Sequence, residues 1–146
     1  MDVWGQLKHF KRSEAWGDPD KMDRDLLLQL DLFRHVINLP FQVTRGYAME
    51  GHAENSFHYK GRAVDGRFLD PTTRGPLSVA ETILIALRAP FGGVGIYTHW
   101  AGGPGLHFDN RVATYDRKIW TSEAPGEYQN LSLAFLSKYL INSNPS

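Results

Sequence analysis

The ten residues Ser56-Phe57-His58-Tyr59-Lys60-Gly61-Arg62-Ala63-Val64-Asp65 constrain this chain more than any other stretch. The spacing predicts a histidine in a loop, a glycine that lets the chain turn, and an aspartate on a strand from Arg62 to Arg67. On that strand Ala63 and Asp65 share one face. His58 and Asp65 can then converge on one ion, and the small Ala63 side chain leaves space beside it. Zinc accepts imidazole nitrogen and carboxylate oxygen together, at about 2.0–2.2 Å. The chain has no cysteine, so thiolate ligands and disulfides are excluded and any zinc is held by His and carboxylates.

A second segment, Gly105-Leu106-His107-Phe108-Asp109-Asn110-Arg111, supplies a third ligand. The two-residue period of a strand puts His107 and Asp109 on one face and sends Leu106 and Phe108 into the core. Three protein ligands leave a fourth position open, which distinguishes a catalytic zinc site from a structural one. Asp109 can orient His107, bind substrate or pair with Arg111. His52, outside the motif, is expected to be a loop residue, and His9 and His35 fall on or near polar helix faces. Tyr97, Trp100 and Trp120 are candidates to wall a cleft or to pack the core.

Around these segments the pattern is that of one small domain. A chain of 146 residues fits a single core. Leu26, Leu30, Phe33 and Ile37 recur at helical spacing, predicting a helix from Asp23 to Ile37 with Asp20 and Asp23 at its start and Asn38-Leu39-Pro40 at its end. Phe41 to Thr44 alternates as a strand does. Ser78 and Glu81 form a capping-box pattern before a second helix whose buried stripe is expected to be Ala80, Ile83, Leu84 and Leu87. Val94–Tyr97 and Leu106–Asp109 read as a hairpin-like pair across the Gly- and Pro-rich stretch Ala101 to Gly105. A last amphipathic segment covers Leu131 to Leu140. The expected architecture is α+β, a small antiparallel sheet packed with helices, with one domain over 1–141 and a frayed tail over 142–146.

Charge and hydropathy narrow the function classes. Net charge is zero without a run of like charges, so neither a nucleic acid nor a membrane surface is an expected partner. The chain is expected to be a monomer. The longest apolar runs, such as Thr82 to Leu87, are too short to span a bilayer. Met1 to Phe10 lacks the apolar core and cleavage site of a secretory signal.

The pattern Ser-x-His-x-x-Gly-x-Ala-x-Asp, followed roughly forty residues later by a strand histidine, resembles the zinc D-Ala-D-Ala peptidases. That family includes carboxypeptidases, dipeptidases and murein endopeptidases of bacteria and phages. The hedgehog signalling domain shares its fold and a closely similar His-Tyr-x-Gly-Arg-Ala-Val-Asp stretch. Phe10 to Glu14, Phe33-Arg34, Gly95-Ile96-Tyr97 and Arg117-x-x-Trp120 extend the resemblance over residues 10 to 120. It implies a hedgehog/DD-peptidase-like fold, zinc on His58, Asp65 and His107, and a Ser56 that binds substrate or orders the loop holding His58. It also implies hydrolysis of D-alanine-containing peptidoglycan peptides, acting at the bacterial cell envelope.

Two positions depart from the family. Many members carry Ser-Gly-Tyr-Arg where this chain has Arg45-Gly46-Tyr47-Ala48, which leaves Arg45 as the stand-in that stabilises developing charge on the carbonyl oxygen. Several relatives place an acid or histidine three to six residues before the last zinc histidine. The stretch Ala101 to Pro104 has no titratable side chain, so His99 becomes the candidate base. The alternative reading is a zinc-binding interaction module of the same fold without turnover. A third is a structural piece of a phage particle that carries the domain for wall penetration.

Overall fold

The computed structural model describes residues 2–113 and 117–142. After a single helical turn, α1 (Val3–Gln6), a 3-10 turn at Pro19–Lys21 leads into α2 (Arg24–Ile37). Asp23 caps α2 by accepting from the Leu26 backbone N–H at 3.0 Å, and Asn38 ends it in the left-handed conformation. Strand β1 (Phe41–Arg45) follows. A long loop and a second 3-10 turn (Phe57–Lys60) then lead to β2 (Ala63–Phe68). Helix α3 (Val79–Arg88) carries the expected capping box between Ser78 and Glu81. It is followed by β3 (Gly93–Tyr97), β4 (Gly105–Asp109), β5 (Lys118–Ala124), β6 (Glu127–Asn130) and the short α4 (Leu133–Leu136), which runs on into a π turn.

The strands form one sheet in the order β1-β2-β4-β3-β5-β6. The fold is α+β, as the pattern implies, but the sheet is mixed. Strand β5 runs parallel to β3, whereas the other pairs are antiparallel. The connection from β4 carries the chain past β3 and back onto its far side, and that crossing sets the parallel pair. Val64, Phe108, Val94 and Ile119 lie in register across the four central strands, and the first three have no exposed surface. Phe33 of α2 meets Phe68, Phe91 and Phe108 edge-on at 5.8–6.0 Å, so α2 closes the core on that face.

Three expectations need correction. Helix α3 buries Thr82, Ile83, Ile85 and Ala86, while Leu84 is 52% exposed. Residues 83–87 are all apolar, so periodicity could not choose the face, and the small Ala86 lets the helix settle on the sheet. The Leu131–Leu140 segment is a one-turn helix and a π turn with Phe135 buried and Leu133 exposed. Of the expected tail, Asn142 still bonds Ser137, and residues 143–146 lie outside the described part. Among the described residues, no helix is long and apolar enough to cross a membrane.

Candidate metal centre

The face of the sheet opposite α2 carries the polar cluster. Register places Asp65, His107, Gly95 and Trp120 in one row across β2, β4, β3 and β5, and Ala63, Asp109, Gly93 and Lys118 in the next. Asp65 and His107 are thus direct cross-strand neighbours, and His107 Nδ1 lies 2.9 Å from Asp65 Oδ1. Strand β3 contributes glycine to both rows. A Cβ on Gly93 would sit 2.3 Å from an Asp109 carboxylate oxygen, and one on Gly95 would sit 2.7 Å from the Trp120 indole nitrogen. Missing side chains on β3 let those of its neighbours lie across it.

His58 arrives from the 3-10 turn. Ser56 caps the turn, its hydroxyl accepting from the His58 N–H at 3.2 Å, which is the loop-ordering role considered for it. Gly61 ends the turn with φ +67° and packs so closely that a Cβ would fall 1.8 Å from the Lys21 carbonyl oxygen. His58 is buried, with Nε2 3.2 Å from Asp65 Oδ1.

The outward ring nitrogens decide the chemistry. His58 Nδ1 lies 2.7 Å from the Gly46 carbonyl oxygen, which can only accept, so that nitrogen carries the proton. His107 Nε2 lies 2.8 Å from Asp109 Oδ2 and donates to it. With those protons committed, neutral rings present lone pairs from His58 Nε2 and His107 Nδ1 toward the Asp65 oxygen. Three lone pairs facing one another repel unless a cation lies between them. His58, Asp65 and His107 can together hold a metal ion, their ligand atoms all lying within 4.8 Å of one another. Without metal a proton serves. Burial alone would lower the His107 pKa, but its bonds to Asp109 and Asp65 outweigh this and raise it to about 9. Burial would raise the Asp65 carboxyl, yet the hydrogen bond from protonated His107, with the His58 ring facing the same oxygen, holds it well below the usual carboxylate range.

Asp109, a candidate to bind substrate, is absent from the cavity lining. It is 0% exposed; Arg111 grips both oxygens at 2.7 Å, and His107 takes Oδ2. Its role is to orient His107, an arrangement frequent behind metal-bound histidines. His99 bonds Ser122 Oγ at 3.1 Å, turned toward β5, and is not among the residues lining the cavity over the triad. Arg45 likewise lies outside that lining. Its exposed guanidinium reaches His52 Nε2 at 3.3 Å and braces the loop. His52 is a loop residue, as expected, but its ring stacks on His58 with centroids 4.1 Å apart. Burial, followed by His58, depresses its pKa to about 4.

The cavity holds about 680 Å³ between the 52–58 loop and β5–β6. Its floor is the triad; its walls include Glu54, Tyr97, Arg111, Lys118, Trp120 and Tyr128. The sequence pattern gave no sign of Glu54, which falls in a loop of small and polar residues, or of Tyr128, which belongs to a strand with all four residues exposed. Compared with known proteins, the chain matches no family model and no curated protein.

Proposed function

We propose that the protein is a zinc-dependent peptidase of the D-Ala-D-Ala type, acting on D-alanine-containing peptidoglycan peptides. The observation that carries this reading is the convergence of three lone-pair donors at the floor of an open cavity, with both histidine protons committed behind them. Two imidazoles and one carboxylate suit zinc. Their 2.9 and 3.2 Å separations approach the edge, about 3.3 Å, of a tetrahedron with zinc–ligand bonds near 2.0 Å. Zinc held there would act as a Lewis acid and acidify a water for attack near neutral pH.

The chain's own groups then divide the remaining work. Arg111 and Asp109 fix the His107 ring, and Gly46 fixes that of His58. Among the described residues lining the cavity, Glu54 is a carboxylate with no cation partner, and it becomes the proton acceptor in place of His99. The D-alanine substrate class rests on the sequence resemblance. The His99 and Arg45 positions favour a second reading, a metal-binding module without turnover, because neither residue reaches the cavity. Incubating zinc-loaded protein with purified murein and identifying released fragments separates the two. Peptide-bond cleavage that stops on chelation is expected, and intact murein with zinc bound throughout would leave the module.

A further inference from the structure

Tyr97 stands at the end of β3 with its ring stacked on Trp100, centroids 4.3 Å apart and planes 18° from parallel. Its hydroxyl is used on one side only. The Trp120 indole N–H donates to the phenol oxygen at 3.1 Å, and an indole can only donate. The O–H hydrogen therefore cannot return to Trp120, and among the described residues it has no protein acceptor. Trp120 is itself held firmly. Gly95 leaves the space its indole edge fills, His107 packs against it with centroids 5.1 Å apart, and Arg111 covers its ring at 5.2 Å. The result is a part-buried hydroxyl, pinned by its oxygen, on a side chain that lines the cavity above the triad.

We infer that the Tyr97 hydroxyl is a catalytic hydrogen-bond donor to the scissile carbonyl oxygen of the substrate, filling the role that the absent arginine after Tyr47 leaves open. This rests on the peptidase reading. As water adds to the carbonyl carbon, a C–O bond forms, the π pair moves onto the carbonyl oxygen, and the growing charge strengthens the bond from the phenol. Tyr97 keeps its proton throughout. When the C–N bond breaks, the pair returns to the carbonyl and the proton taken from water goes to the leaving amine. Burial, with Asp65 among the neighbouring groups, raises the phenol pKa to about 12 against the opposing bond from Trp120, so the donor is intact across the working range. A neutral donor aimed by a rigid neighbour needs no reorganisation as charge develops.

The test pairs turnover with binding of a phosphinate analogue of an alanyl-alanine dipeptide, whose anionic oxygens mimic the developing charge. Tyr97→Phe keeps the ring on Trp100, so zinc content and melting temperature are expected to match the parent. Phosphinate affinity, read by calorimetry, is expected to fall about tenfold, and kcat on murein peptide about a hundredfold with KM little changed. Trp120→Phe, which removes the positioning N–H, is expected to weaken phosphinate binding in the parent and to add nothing in the Tyr97→Phe background. A parent that hydrolyses murein while Tyr97→Phe equals it in kcat and phosphinate affinity overturns the inference and leaves the peptidase reading intact. Phosphinate binding that depends on Tyr97 in a parent without turnover leaves Tyr97 an anion-binding hydroxyl only, and overturns both its catalytic role and the peptidase reading. A parent that neither binds phosphinate nor cleaves murein overturns both.

Discussion

The carboxylate of Asp109 never meets solvent, yet its loss is expected to reach the metal. It holds His107 by the nitrogen opposite the one facing Asp65, and it is held in turn by Arg111. Asp109→Asn puts an amide N–H where His107 needs an acceptor, so the ring loses the tautomer that presents Nδ1. Zinc affinity, measured against a competing chelator, is expected to drop about 10- to 100-fold; an unchanged affinity would show that Asp109 serves only Arg111. The proton acceptor is open to a direct contest: Glu54→Gln is expected to cut turnover about 10²- to 10⁴-fold, and His99→Ala to leave it within about twofold. The opposite ranking would restore His99. The His58–Asp65 half of the triad was legible because its geometry is local, with Ser56 capping a turn and Gly61 ending it, whereas His107, on β4, joined it through the resemblance. The direction of His99 was not legible, because its partner Ser122 belongs to a strand that left no pattern of its own.

At the level of elements, the strands that were missed are those whose burial does not alternate. Lys118–Ala124 mixes exposed and buried positions without period, and Glu127–Asn130 is exposed throughout; each becomes a strand by pairing with a neighbour already in place. Helix α3 shows the complementary failure, where too many apolar residues leave the face undetermined. The observed face predicts that Ile83→Ala costs about 2–5 kcal/mol, while Leu84→Ser stays within about 0.5 kcal/mol. Denaturant unfolding checks both, and a larger loss at Leu84 would return the stripe to the one the sequence suggested. Gly95 tests the site-bearing rows. Gly95→Ala forces Trp120 off its seat and is expected to destabilise by about 1–3 kcal/mol while zinc binding persists, because neither His107 nor Asp65 needs that space. An undiminished midpoint would mean that the rings over β3 have room to yield.

For the whole molecule, the zinc site proposed above would set fold stability and metal binding in competition for the same nitrogen. In metal-free protein the His107 pKa stands near 9, against an ordinary value of 6.5. A pKa raised on folding means that protonated His107 stabilises the fold fully below about pH 6.5, and that this contribution is lost as pH rises through about 9. The loss proceeds at no more than about 1.4 kcal/mol per pH unit. Zinc needs the same ring neutral, so below pH 9 each zinc bound displaces a proton, and its apparent affinity climbs up to about tenfold per pH unit across the window. The depressed carboxyl of Asp65 changes state only at strongly acid pH and does not enter. Metal-free protein therefore weakens from pH 6.5 to 9 while stabilisation by zinc, RT ln(1 + [Zn]/Kd), grows. The difference in melting temperature between zinc-loaded and chelated protein is expected to widen steadily over that interval. Calorimetric titration at pH 7.5 in buffers of different ionisation enthalpy is expected to give close to one proton released per zinc. A temperature gap that stays constant or narrows, or a heat of binding indifferent to the buffer, would mean that the proton held by His107 and Asp65 does not occupy the metal's place.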